Sequence, residues 1–173
     1  MDFSKLTDAQ LGYFAGIVDG EGCFVVGLYG SKSRHTGKQI MNYHTYIKVS
    51  NTDENLIKWI HDVVGGTNWQ QHRSTRVNKY DRTVYNIQLS GETLDLIMPL
   101  IYPYLIVKKL QCDVMLRMRS TFKRNNRLSK RDNSQEIHDL RHVCYSEMRA
   151  LNSRWHNHPI KPKYDLAPCC PSA

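Results

Sequence analysis

Hydrophobic positions along the chain follow two rhythms that alternate. Leu11, Phe14, Ala15 and Val18 recur at helical intervals. Ahead of them, Thr7-Asp8-Ala9-Gln10 has the form of a capping box, with Thr7 as N-cap and Gln10 reaching back, and Leu6 and Leu11 are spaced as a hydrophobic staple. This first helix should stop near Gly20-Glu21-Gly22. The rhythm then changes to two. Phe24, Val26 and Leu28 alternate with Val25, Gly27 and Tyr29, predicting a strand over 23–29. The polar, basic stretch Ser31 to Gln39 reads as a hairpin loop. A second strand follows from about Ile40 to Ser50, with Tyr43, Thr45, Ile47 and Val49 on one face and Asn42, His44, Tyr46 and Lys48 on the other.

The pattern repeats. Thr52 or Asp53 caps a helix running to about Val64, with Leu56, Ile57, Ile60 and Val63 as its buried stripe and Gly65-Gly66 as its C-cap. Strands are predicted over about Thr67 to Val77 and Arg82 to Leu89, with a turn at Asn78 to Asp81. Gly91-Glu92-Thr93 opens another helix, which Pro99 and Pro103 should break or kink. Beyond Pro103 the spacing is helical through about Phe122, with Leu105, Val107 or Lys108, Cys112, Met115 and Met118 available for one side. Ser134 to about Trp155 reads as a last amphipathic helix, with Ile137, Leu140, Val143 or Cys144, Met148 and Leu151 inward. The order predicts an α+β domain over 1–155, an αββαββα core with extra C-terminal helices. The proline-rich tail, 156–173, is expected to be extended or disordered.

Two features of the first helix go beyond packing. Gly12 and Gly16 each cost about 1 kcal/mol relative to alanine in a helix interior, which suggests close approach of another helix. Asp19 and Glu21 place acid at the end where the helix dipole is already negative. A divalent cation held by carboxylate and carbonyl oxygens would offset that cost.

Composition adds a partner class. The 173 residues suffice for one domain with a core of its own. A net charge of +8 favours a polyanion, with nucleic acid ahead of membrane, although solubility alone also explains it. No apolar run approaches the ~20 residues of a membrane span, the N-terminus has no signal-peptide core, and five cysteines fit a reducing, intracellular compartment. The second strand's outward face is polar, aromatic and basic, which suits base edges and phosphates as well as solvent.

Phe14-Ala15-Gly16-Ile17-Val18-Asp19-Gly20-Glu21-Gly22 resembles the nine-residue signature of the LAGLIDADG homing endonucleases. The Ala-Gly, Asp and final Gly-acid-Gly positions match; Phe14 replaces the first Leu and Glu21 the last Asp. The resemblance extends through the order of elements to about residue 120. It implies a curved antiparallel sheet lying over DNA. A single motif copy implies a homodimer whose motif helices meet through Gly12, Ala15 and Gly16. It further implies a sequence-specific endonuclease that hydrolyses phosphodiesters with Mg²⁺, Mn²⁺ or Ca²⁺ substituting in binding. The target would be a long pseudo-palindromic duplex, cut across the minor groove to leave 3′ overhangs in the service of intron mobility. By the same resemblance, Glu21 and the Gly20 carbonyl hold metal, Lys108 borders the active site and Asn51 positions solvent. Surface acid, solvated helix lysine and helix cap are the plainer readings of Glu21, Lys108 and Asn51. Asp19 reads as structural. Recognition would rest on Tyr29, Asn42, His44, Tyr46, Lys48, Gln70, His72, Asn86 and Gln88, with Lys32, Arg34 and Lys38 on phosphates. The family also implies an origin in a chloroplast, a mitochondrion, or a bacterial or phage-infected cytoplasm. A non-catalytic binder of the same fold, an intron RNA maturase or a DNA-binding regulator, is the alternative.

Three motifs are set aside. His156-Asn157-His158 spells another nuclease signature but packs it into consecutive tail positions. His138 and His142 are four apart without a third zinc ligand. Cys169-Cys170 is a tail pair of ordinary cysteines.

Overall fold

The computed structural model describes residues 3–32, 37, 39–66, 68–72, 83–122 and 134–153. Nine principal elements follow one another: α1 (Asp8–Glu21), β1 (Gly22–Lys32), β2 (Gln39–Asn51), α2 (Glu54–Val64), β3 (Asn68–His72), β4 (Val84–Ser90), α3 (Gly91–Ile101), α4 (Lys109–Ser120) and α5 (Gln135–Ser153). The four strands form one antiparallel sheet in the order β1-β2-β4-β3. Phe24, Val26, Thr45, Ile47, Val49, Ile87 and Leu89 are buried on one face, against helices that contribute Phe14, Val18, Ile57, Ile60, Leu94, Ile97, Met115 and Met148. The opposite face carries Tyr29 and His44, both exposed, and Tyr46, which is partly buried.

The capping box at Thr7 forms as the sequence predicts: Gln10 N–H donates to Thr7 Oγ1 at 3.3 Å, and Thr7 N–H to Gln10 Oε1 at 3.0 Å. Asp53 caps α2, accepting from Asn55 N–H at 2.8 Å. Gly65 ends that helix at φ +83, donating back to His61 O, a conformation glycine adopts without Cβ strain.

Several expectations need correction. The hairpin strands run further than expected, through Lys32 and from Gln39, because their registers continue pairing to that level. On α2 Val64 is buried and Val63 only partly so. Pro99 does not break α3. It lies in the last turn, where only the Asp95 carbonyl loses an amide partner, and the chain passes through a short 3-10 turn, Tyr102–Tyr104, around Pro103. The next helix begins only at Lys109, so Lys108 is its N-cap and Val107 is 58% exposed. On α5 Leu140 faces outward, Cys144 rather than Val143 is the buried member of that pair, and Arg141 is buried as well. Its guanidinium donates to Thr121 Oγ1 and O at 2.9 and 2.8 Å and lies over the Phe122 ring. A satisfied, stacked arginine can be buried where an unpaired one cannot. His142 meets Tyr43 Oη at 3.4 Å, and among the described residues no cluster of three His, Cys, Asp or Glu forms. The strand call beyond His72, the Asn78 to Asp81 turn, Arg34, Lys38 and the 156–173 tail lie outside the described residues.

Candidate functional site

The acidic end of α1 is built by an exchange between two helix termini. The Asp19 carboxylate accepts three backbone N–H groups from the segment leading into α4: Ile106 and Val107 on Oδ2 at 2.7 and 3.1 Å, and Lys108 on Oδ1 at 2.9 Å. Lys108 returns the contact. Its ammonium donates to the Val18 and Asp19 carbonyls at 3.0 and 2.8 Å, on the last turn of α1. Each charge thus sits where a helix end favours it, anion by the α4 N-terminus and cation by the α1 C-terminus. The charge cost of Asp19 is therefore met by the protein itself, and the structural reading of Asp19 holds. Burial pushes the Lys108 ammonium below the ordinary lysine range, while Asp19, Cys23 and Glu21 pull it back up.

Gly22 closes the turn. A Cβ there would stand 2.6 Å from Val18 O, so only glycine lets the chain leave the helix directly into β1, with its N–H shared between Ile17 and Val18 carbonyls. Gly20 and Glu21 are both exposed at this tip. The clasp around Asp19 leaves Glu21 as the acid that faces outward.

Asn51 ends β2 two residues beyond Val49, the register partner of Gly22. Its Oδ1 accepts from Asp53 N–H at 2.8 Å, so this side chain shapes the entry to α2, the plainer of its two readings.

The sheet face gathers most of the expected recognition residues. Gly27 and Tyr29 on β1, His44, Tyr46 and Lys48 on β2, and Gln88 on β4 share it by register. Tyr29 is 48% exposed. Asn42 donates to Ser31 Oγ at 2.8 Å, and Lys32 is exposed at the hairpin end. Asn86 is on the same face but only 8% exposed, and its Oδ1 accepts from Ser50 Oγ at 2.6 Å. It serves cross-strand bonding rather than an open edge. Gln70 pairs with Asn86 and His72 with Val84 in the backbone register.

The dimer expectation is corrected at one position. Ala15 is wholly buried among Leu11, Phe14 and Val18, because it belongs to the same helical stripe and faces the core of its own chain. Gly16 is exposed, and a Cβ there meets nothing within 4 Å; at Gly12 it would touch Tyr104 at 3.7 Å. The outer side of α1 also carries Tyr13, 56% exposed and edge-on to Trp59 at 4.9 Å. Beside the acidic tip, Ile106 is 87% exposed. Tyr13 and Ile106 are not among the residues that the sequence pattern singles out; the signals for them are an aromatic just ahead of the motif and an apolar pair before Lys108.

The α+β fold, with its four-stranded antiparallel sheet, is shared with solved structures of homing endonucleases. The archaeal intron-encoded homing endonuclease I-Vdi141I, solved with DNA, matches with a TM-score of 0.65 at 16% identity, over 92% of this chain and 91% of that one. The homing endonuclease I-CvuI, solved with its target and calcium, gives 0.60 at 14% identity over 83% and 82%. Meganuclease I-SmaMI, bound to uncleavable DNA, gives 0.54 at 16% identity over 87% of this chain and 45% of that one; this chain spans about half its length. At these identities the likeness shows the fold. The sequence pattern of the LAGLIDADG endonuclease family matches residues 14–116, more than half of the chain, and the protein belongs to that family. No curated protein matches it. No described helix is long and apolar enough to cross a membrane.

Proposed function

We propose that the chain is a divalent-metal-dependent homing endonuclease that binds and cuts double-stranded DNA as a homodimer. The observation that carries this reading is the outward Glu21 carboxylate, held at the tip of α1 by the Asp19–Lys108 clasp. The open sheet face with its polar, aromatic and basic side chains supplies the surface for the duplex.

The donor set suits a hard cation. A carboxylate from Glu21 and a carbonyl from Gly20 are oxygen ligands of the kind Mg²⁺ prefers, and so few protein ligands leave room for water and phosphate. When bound, such an ion activates water and neutralises charge on the phosphodiester. The chain's own residues do the rest. Asp19, locked by three amides, fixes the helix end so that Glu21 projects outward. Lys108, within the field of Glu21, supplies a cation beside the reacting phosphate. The exposed outer side of α1 at Gly16 accommodates the same helix of a second copy, bringing two Glu21 carboxylates together over the two strands. Cutting across the minor groove with 3′ overhangs, on a pseudo-palindromic target, follows from the family resemblance.

The test uses the full chain, a long DNA library and Mg²⁺, repeated with Glu21→Gln. Metal-dependent double-strand cutting by the wild type and none by the variant is expected. Equal cutting by both, or none in any context, overturns the proposal. Binding of intron RNA without metal-dependent cutting would assign the chain instead to the non-catalytic binders of this fold.

A further inference from the structure

We propose that Gly27 is a specificity-determining residue of the sheet face: its missing side chain seats the His44 imidazole against β1 and so sets which edge of the ring meets DNA. The proposal rests on the duplex-binding reading above and deepens it.

Gly27 and His44 are register partners across β1 and β2. A Cβ placed on Gly27 would lie 2.0 Å from His44 Nε2, 2.2 Å from Cε1 and 2.8 Å from Cδ2. The tip of the ring therefore occupies the volume that the first side-chain atom of any other residue would claim. Glycine inside a strand forfeits side-chain packing and marks close approach of another group; here the approaching group is this imidazole. Two tyrosines hold it from either side. Tyr29, two residues along β1, has its ring centroid 5.5 Å from that of His44. Tyr46, two residues along β2, lies at 5.7 Å and parallel to within 5°. Among the described residues the His44 ring nitrogens form no hydrogen bond, and the residue is exposed.

A neutral imidazole offers one donor and one acceptor. Its tilt decides which of them faces a base edge, and base edges differ in their donors and acceptors. The three atoms nearest a methyl group on Gly27 are all in the His44 ring. Such a methyl would meet the far end of a side chain with two torsions, and the ring would swing out of its seat. The fold is spared and the reading face changes. Gly27 is thus a positioning residue that acts through His44.

The experiment selects bound sequences from a randomised DNA duplex pool with full-length wild type, Gly27→Ala, His44→Ala and the double variant. Gly27→Ala is expected to change base preference about tenfold, at the same positions that His44→Ala changes. The double variant is expected to match His44→Ala, because the clash has gone. Unchanged preference in Gly27→Ala overturns the proposal, as does a shift at positions indifferent to His44. If Gly27→Ala does not fold, the double variant still decides: any departure from His44→Ala in its preferences overturns the proposal. Failure of the wild type to enrich any sequence is a separate result, which removes the duplex-binding reading first.

Discussion

Asp19 and Lys108 each bind the other's backbone where the exit of α1 meets the entry to α4. The carboxylate of Asp19 takes the amides of Ile106, Val107 and Lys108, while the Lys108 ammonium takes the carbonyls of Val18 and Asp19. Eighty-nine residues apart in the chain, they fasten the α4 entry to the α1 exit, with Glu21 exposed beside them. The signature therefore contains two acids in different settings, Asp19 bonded into the fold and Glu21 exposed at the helix end.

That division separates stability from activity. Asp19→Asn removes the charge from an acceptor of three amides and is expected to destabilise the fold by about 1–3 kcal/mol. Glu21→Gln, at an exposed position, is expected to leave the melting temperature nearly unchanged while abolishing cleavage. Thermal melts and cleavage assays on both variants check the contrast. Equal melting temperatures for Asp19→Asn and wild type would remove the structural role.

The partly buried Lys108 has a native pKa below its ordinary 10.5, with desolvation as the first cause. In the window between the lowered native value and 10.5 the unfolded chain binds more protons than the native one, so native stability rises with pH there. Relative to Lys108→Met, the wild type is expected to gain stability as pH increases through that window. Denaturant titrations of both proteins across alkaline pH measure the difference.

Neighbouring positions of α1 should respond to bulk in opposite ways. A larger side chain at Gly16 has open space in the single chain and is expected to leave the fold intact; Gly16→Leu should then lose the dimer in sedimentation. Ala15→Leu adds volume to a closed core and should destabilise the chain itself by about 1–3 kcal/mol. A dimeric Gly16→Leu protein would argue against pairing through this side of the helix.

Thiol chemistry should distinguish Cys23 from the core cysteines. Burial, aided by Asp113, pushes the Cys112 thiol up to about 12, and burial also raises Cys144. Both stay protonated and enclosed at neutral pH, whereas Cys23 is exposed. Alkylation of the native protein, read peptide by peptide, is expected at Cys23 and not at Cys112 or Cys144 until the chain is unfolded.

Local pattern alone determined the elements, the core faces of β1, β2 and β4, the capping box at Thr7 and the acidic motif at the end of α1. These depend on residues within a few positions of one another, and periodicity reports them directly. Only the tertiary structure decided that Lys108 binds the exit of α1, that Asn86 bonds across to Ser50 and that His44 lies over Gly27. Each of those outcomes arises where distant segments compete for the same hydrogen-bonding groups or the same volume. A spacing pattern along one segment cannot register an amide, a carbonyl or an empty Cβ position supplied by another.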